Sequence, residues 1–369
     1  MRSSGIAVVA VILSLALSGP AMAAASFESA ETCQPCHGDI YRNWRQSLHA
    51  LSFTNPVFAQ AYQTAYTETA GEAKKQCLPC HAPTATVTGD FDARQPVTRE
   101  GITCDFCHSV TGVDLSHATR PFELAPGKVK RSVLKDARAQ GHEAAYSADF
   151  ASSKLCAGCH GMTSRNGLKI TDTYNEWKGS SFARAGKVCQ SCHMAPIPGK
   201  TANEGGRESI HNHSLSRNLS TMKDAVSLEA RILSRTGESV GVEVRVTNER
   251  AGHAIPTGAV ARKLLLEVST VDGAGQVLET KQRVYRKVVV DADGAELLSD
   301  GEVFLKGDRI VDDNRLRADE TRTEQFSFRR RAADVREVRT ETFYIYEPTV
   351  AQKVTIRIPL SSATTTDTP

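Results

Sequence analysis

The chain has 369 residues, with 45 Lys plus Arg against 42 Asp plus Glu and a formal net charge of +3. That length leaves room for about two domains with real cores, and 24% charged against 40% hydrophobic residues excludes wholesale disorder. The small, evenly spread charge argues against a nucleic-acid partner, and no apolar run reaches the roughly 18 residues of a membrane helix, which excludes a multi-pass membrane protein.

Residues 1–23 read as a secretory signal. Arg2 is the charged start, Ile6 to Leu17 is a twelve-residue apolar stretch too short to span a bilayer, and Ala21-Met22-Ala23 is a small-x-small cleavage site. An uncleaved N-terminal anchor is the alternative. Cleavage removes one cation, Arg2, and no acid, taking the charge from +3 to +2. The expected location is the periplasm, with no integral membrane segment after cleavage.

Ten cysteines follow as five repeats of C-x-x-C-H, at Cys33-Cys36-His37, Cys77-Cys80-His81, Cys104-Cys107-His108, Cys156-Cys159-His160 and Cys189-Cys192-His193. No cysteine is left over. Two thiols three residues apart can add to the two vinyl groups along one edge of a porphyrin, and the next histidine then lies under the iron. Zinc uses C-x-x-C motifs in pairs, and five do not divide into twos. Five disulfides would leave the histidine after every pair unexplained. Five covalent c-type haems are therefore expected within the 161 residues from Cys33 to His193. With Phe, Trp and Tyr at only 6% of the chain, the porphyrins are expected to supply much of the core there, in a mainly α domain of low regular structure over 26–215.

Six histidines remain: His49, His117, His142, His211, His213 and His253. All lie at or before residue 253, as expected of distal ligands. Ile40, Trp44 and Leu48 recur at i, i+4, i+8, which predicts a helix over about 40–50. On it His37 and His49 stand roughly 18 Å apart, so His49 is expected to ligate a haem other than the one at Cys33. His211 and His213 share a face if extended; His213 is taken as the ligand, with His211 the alternative. His253 sits in Gly252-His253-Ala254-Ile255-Pro256-Thr257-Gly258, a loop stiffened by its proline. His117 and His142 complete the expected set. Met162 and Met194 follow haem motifs too closely to reach over an iron, and Met222 has no supporting context, so mostly bis-histidine iron of low potential is expected.

An internal echo pairs Tyr41-x-x-Trp44-x-x-Ser47-x-His49-Ala50 with Tyr174-x-x-Trp177-x-x-Ser180-x-Phe182-Ala183. Phe182 cannot ligate iron and is expected to pack against a haem. Pro196 to Glu208, rich in Pro, Gly and polar residues, reads as a linker, as does 216–223. From 224 to 361 the period becomes two: Val240, Val242, Val244 and Val246 alternate with polar residues, as do Leu264, Leu266 and Val268, Phe326 and Phe328, Phe343 and Ile345, and Val354, Ile356 and Ile358. Asp272-Gly273 and Asp293-Gly294 mark turns. This predicts an all-β sandwich of about seven or eight strands, followed by a disordered tail over 362–369. The β domain is expected to pack on the haem domain and lend it His253.

On these residues a family likeness appears. Cys33 to Ala50 resembles the opening of multihaem cytochromes of the cytochrome c-554 type, with C-x-x-C-H, a tryptophan helix and Ser-x-His. Glu100 to His108, Cys189 to Met194, His213-Ser214-Leu215 and the Gly252–Gly258 loop are similar to further elements of that family. The resemblance covers roughly residues 30–260 and implies a soluble, mainly helical periplasmic cytochrome, with distal roles for His49, His213 and His253. The relative has four haems against five sites here, and leaves one iron five-coordinate, so the resemblance leaves room for an open site.

The expected function is electron relay between redox partner proteins, with no catalytic residue assigned. Five haems bring about ten propionates, which make the surface more acidic than the sequence and steer partners. One alternative is an oxidoreductase acting on a small nitrogen or sulfur oxyanion at one open haem. All five proximal residues are histidine, which counts against the pentahaem nitrite reductases that use a lysine. The other alternative is a subunit of a cytochrome filament.

Overall fold

The computed structural model describes residues 26–117, 120–215, 222–348 and 355–366. The signal-like residues 1–23 and most of the 216–223 linker lie outside them.

The N-terminal region is helical, built from short pieces. Its longest described helix, Pro56–Glu68, starts on Asn55, whose Oδ1 accepts the amide of Val57 at 2.9 Å, with proline at the first position. Each C-x-x-C-H lies on a helical turn. Lys74–His81, Cys104–His108 and Cys189–His193 are helices. At the other two motifs the amides of His37 and His160 donate to the carbonyls of Cys33 and Cys156, at 2.9 and 3.0 Å. One helical turn aims residues i and i+3 the same way, so both thiols of a motif face one space. Among the described residues four two-stranded β pairs brace these turns, one of them the parallel pair of Val129–Ser132 with Glu143–Tyr146. Buried apolar side chains form only small clusters, such as Phe27, Val97, Ile102 and Phe106.

Two expectations fail here. The helix expected over 40–50 is Gly38–Arg45, and the chain then turns: the amide of Ser47 donates to Trp44 O at 2.8 Å, and Ser47 Oγ accepts from the amide of Ala50 at 3.0 Å. A buried serine that caps its own turn breaks the periodicity, and His49 is carried off the helix axis. Pro196 to Glu208 is not a linker. Pro196–Pro198 pairs antiparallel with Ser209–His211, and the intervening loop packs on the first motif. Asn203 donates from its backbone to Cys36 O at 2.7 Å and from Nδ2 to Pro35 O at 2.6 Å.

The C-terminal region is β-rich. Ser239–Asn248 is the middle strand of one sheet, between Val226–Thr236 and Thr321–Phe328. A second sheet runs Val277–Tyr285, Arg262–Val271, Glu337–Tyr346, Ile356–Thr365. All named pairings are antiparallel. The alternating valines 240–246, Leu264, Leu266 and Val268, Phe326 and Phe328, and Leu360 share one buried core, so both sheets contribute to it. Residues 362–365, expected in a disordered tail, continue the last strand opposite Val338 to Glu341. A separate pair, Lys287–Val290 with Arg309–Asp313, and the helix Asp300–Lys306 reach back to the helical region. Ile170 is buried with Val260, Val289, Leu297 and Val303, and Lys287 Nζ donates to Ile170 O at 2.7 Å.

Candidate haem-binding cavity

One cavity of about 2950 Å³ runs through the helical region and under the β-rich one, and all ten motif cysteines and the five motif histidines line it. That is several times the roughly 300–1,000 Å³ of an ordinary ligand pocket. Thiols of different motifs lie side by side. Cys33 contacts Cys104, Cys80 contacts Cys159, and Cys156 contacts Cys189. The charge of Cys107 also bears on Cys156 and Cys159. Burial alone pushes the Cys107 thiol up to about 12, and burial with Cys80 does the same at Cys77. Cys189 is drawn down to about 6, chiefly by its hydrogen bond with Cys156.

The histidines meet in pairs. Ring centroids are 6.0 Å apart for His37 and His142, 6.2 Å for His49 and His160, and 6.4 Å for His193 and His253. Two imidazoles bound through one nitrogen to opposite sides of a metal put their centroids about 6 Å apart, from a metal–nitrogen bond of about 2.0 Å and about 1.1 Å from nitrogen to ring centre. His213 lies near His108: burial pushes its imidazole down to about 4, and His108 is the first charge that adds to this. His49 and His160 are likewise pushed down to about 4, by burial first and by neighbouring imidazoles after it. Neutral imidazoles are what a metal requires.

Backbone carbonyls fix the ring orientation. Nδ1 of His37, His81 and His108 hydrogen-bonds the carbonyls of Thr201, Ser52 and Arg131, at 2.5, 3.0 and 2.6 Å. Nδ1 of His142, His213 and His253 does the same with Glu143, His211 and Ala254, at 2.9, 2.7 and 3.0 Å. A proton held on Nδ1 leaves the Nε2 lone pair for iron. These residues fit a c-type haem at each motif.

The other histidines stand differently. His117 is exposed, and its Nε2 faces Asp114 Oδ2 at 3.7 Å; the structure does not bring it to another imidazole among the described residues. His211 is exposed, with Nδ1 2.9 Å from Met194 O. His81 is stacked on Phe58, centroids 3.8 Å apart, and no second histidine ring lies against it among the described residues.

The internal echo has a structural meaning. Trp44 Nε1 donates to Ile102 O and Trp177 Nε1 to Lys187 O, both at 2.9 Å. Each acceptor lies two residues before a haem motif, so each tryptophan pins the entry to one. Phe182 packs against Gly252, where an added Cβ would lie 3.1 Å from its ring, and so supports the loop that carries His253. Sequence reasoning missed the clamp on that loop: Arg315 Nη1 reaches Glu176 at 2.9 Å and Pro256 O at 3.1 Å, and its Nε meets Asp313 at 2.6 Å. Any residue can offer a carbonyl, so the groups that hold each Nδ1 carry no sequence signal.

The profile of the family described as cytochrome c554 and c-prime matches residues 32–109, which contain the first three haem motifs. Among solved structures the chain is similar to a penta-heme cytochrome c552 from Thermochromatium tepidum. Identity is 22% and the TM-score 0.71, over 92% of this chain and 98% of that one, so the fold is shared across both regions. A β-glucuronidase of Bacteroides uniformis matches at 15% identity and a TM-score of 0.20, over 38% of this chain and 13% of that one. MtrC from Shewanella baltica OS185 matches at 14% and 0.19, over 79% and 45%. Neither of these two likenesses carries an argument. No curated protein matches the sequence. Among the described residues no helix is long and apolar enough to cross a membrane.

Proposed function

We propose that this chain is an exported, periplasmic pentahaem c-type cytochrome that relays electrons between redox partner proteins. The observation that carries the reading is the set of imidazole pairs spaced for a shared metal in a cavity lined by every motif cysteine. Each haem would supply a one-electron iron centre; the protein supplies thioether attachment, axial ligands and a dry enclosure. On this reading His142 serves the iron of His37, His49 that of His160, His253 that of His193, and His213 that of His108. His117 is left to the surface, and His211 holds His213 through its carbonyl. The neighbouring thiols support an order in space of first motif, third, fourth, with the second and fifth both beside the fourth. The β-rich region, read as a sandwich, encloses the cavity and lends it His253.

The test is the intact mass of the secreted protein, expected at the apoprotein plus five haems, with peroxidase staining that survives denaturing electrophoresis. A mass equal to the bare polypeptide ends the reading.

One observation favours a second reading. His81 has no imidazole against it among the described residues, which suits an iron with an open position and therefore an oxidoreductase acting on a small nitrogen or sulfur oxyanion. Magnetic resonance of the oxidised protein then shows four low-spin irons and one high-spin iron whose signal shifts with nitrite or cyanide. Five low-spin signals insensitive to both leave electron relay alone.

A further inference from the structure

Where the β-rich region meets the cavity, Nε of Arg262 and Oδ1 of Asp300 are buried without a hydrogen-bond partner. Both residues line the cavity. Such orphans are costly unless a missing group satisfies them.

The fold aims both with care. Arg262 opens the strand Arg262–Val271, and its Nη1 donates to Thr257 O at 2.9 Å. Its guanidinium lies 5.6 Å from the ring centre of Tyr346. Gly258, at φ +88°, leaves the space: an added Cβ would sit 2.4 Å from Nη1. Asp300 starts the helix Asp300–Lys306, which a capping box of Ser299 and Glu302 fixes. The next residue, Gly301, packs on Ala61 in the helix Pro56–Glu68. The charge of Arg262 bears on Asp300 and on His160, yet no ion pair joins Arg262 to Asp300 among the described salt bridges. Burial pushes the Asp300 carboxyl up, against Arg262 and the nearby amides of Ala261 and Val260, which favours its protonated form as a donor.

An unpaired cationic N–H and an unpaired carboxyl oxygen, Oδ1 of Asp300, in one cavity fit a single carboxylate that accepts from both. We propose that Arg262 and Asp300 together hold one haem carboxylate in the group of haems around His160, and so set that haem's potential. The inference rests on the pentahaem reading. Arg262 is a positioning residue: its cation offsets the bound carboxylate. Without it an unneutralised negative charge beside the haem favours the oxidised state.

The experiment is a spectroelectrochemical titration of the holoprotein, with haems counted in each variant. Arg262→Gln is expected to keep five haems and to shift one midpoint negative by about tenfold in its reduction equilibrium, ~59 mV for a one-electron couple. Asp300→Ala lowers the same midpoint, and Asp300→Asn, which keeps an N–H donor, restores it. This pair reads the site even if Arg262→Gln does not fold. Unchanged midpoints in Arg262→Gln and Asp300→Ala overturn the proposal. So does a wild-type midpoint that moves on adding inorganic phosphate or nitrite, with the response lost in Arg262→Gln, since a free anion then takes the site. A wild-type protein with fewer than five haems refutes the pentahaem reading instead.

Discussion

At the scale of single residues, the site is decided by which imidazole nitrogen is left free. His49 shows how strongly placement governs this. It leaves its helix at a serine-capped turn and faces His160, 111 residues away along the chain and 6.2 Å between ring centres. Burial holds it neutral to about pH 4. His49→Ala is therefore expected to convert one low-spin iron to high-spin while the haem count stays at five. The absorbance and magnetic resonance of the oxidised variant read this directly, and an unchanged spectrum would make His49 a packing residue. His117→Ala is the matching control: an exposed ring beside Asp114 leaves every iron as it was. The motif cysteines and histidines that line the cavity stood out in the sequence because thioether chemistry would demand a fixed spacing. The distal partners were legible only as a pool of six, since ligand pairing is a long-range property that no local spacing encodes.

At the scale of elements, the loop Gly252–Gly258 works as a splint for His253. Asn248 Nδ2 donates to His253 O at 2.8 Å, and Ile255 exchanges backbone hydrogen bonds with Leu316 at 2.8 and 3.1 Å. Arg315, only 8% exposed, ties Pro256 to Glu176 and Asp313. Removing one member of a buried ionic group leaves the others uncompensated and costs roughly 3–5 kcal/mol. Arg315→Met is accordingly expected to lose about that much stability at pH 7 in chemical denaturation, and to weaken low-spin ligation at one haem. The pH dependence has a definite sign. Burial pushes the Asp313 carboxyl up, but the hydrogen bonds and charge of Arg315, with Lys287, outweigh it and hold the group below its usual range. A carboxylate depressed in the folded state stabilises above its unfolded pKa of about 3.9 and loses that contribution as pH falls through the folded value. The gap between wild type and Arg315→Met should narrow below about pH 4; a gap that widens on acidification would rule out Asp313 as the partner that matters. Alternation made the strands legible, because a half-buried strand must repeat every two residues. The stretch 196–208 was misread because Pro, Gly and polar residues suit a linker and a loop packed on backbone carbonyls equally well.

At the scale of the whole molecule, the two regions are welded rather than tethered. Ser164 Oγ donates to Gly307 O at 2.9 Å and the amide of Arg165 to Phe304 O at 3.0 Å. Phe304 and Leu305 are buried with Ala65, Ala73 and Cys77, so the helix Asp300–Lys306 closes the cavity beside the second haem motif. On the pentahaem reading the β-rich region supplies a ligand, a cation and a lid, although thioether attachment needs none of them. A chain ending at Lys223 is therefore expected to keep five haems by mass, because each motif is local and complete before that point. It should show one low-spin iron fewer, through loss of His253, and its second haem should become open to solvent, with faster reaction toward cyanide at that iron. The same truncation removes Arg262 and Asp300, so a negative shift in one further midpoint should accompany it. Spectral and redox identity with the full chain would mean that the helical region builds its own coordination and that the β-rich half only rests against it.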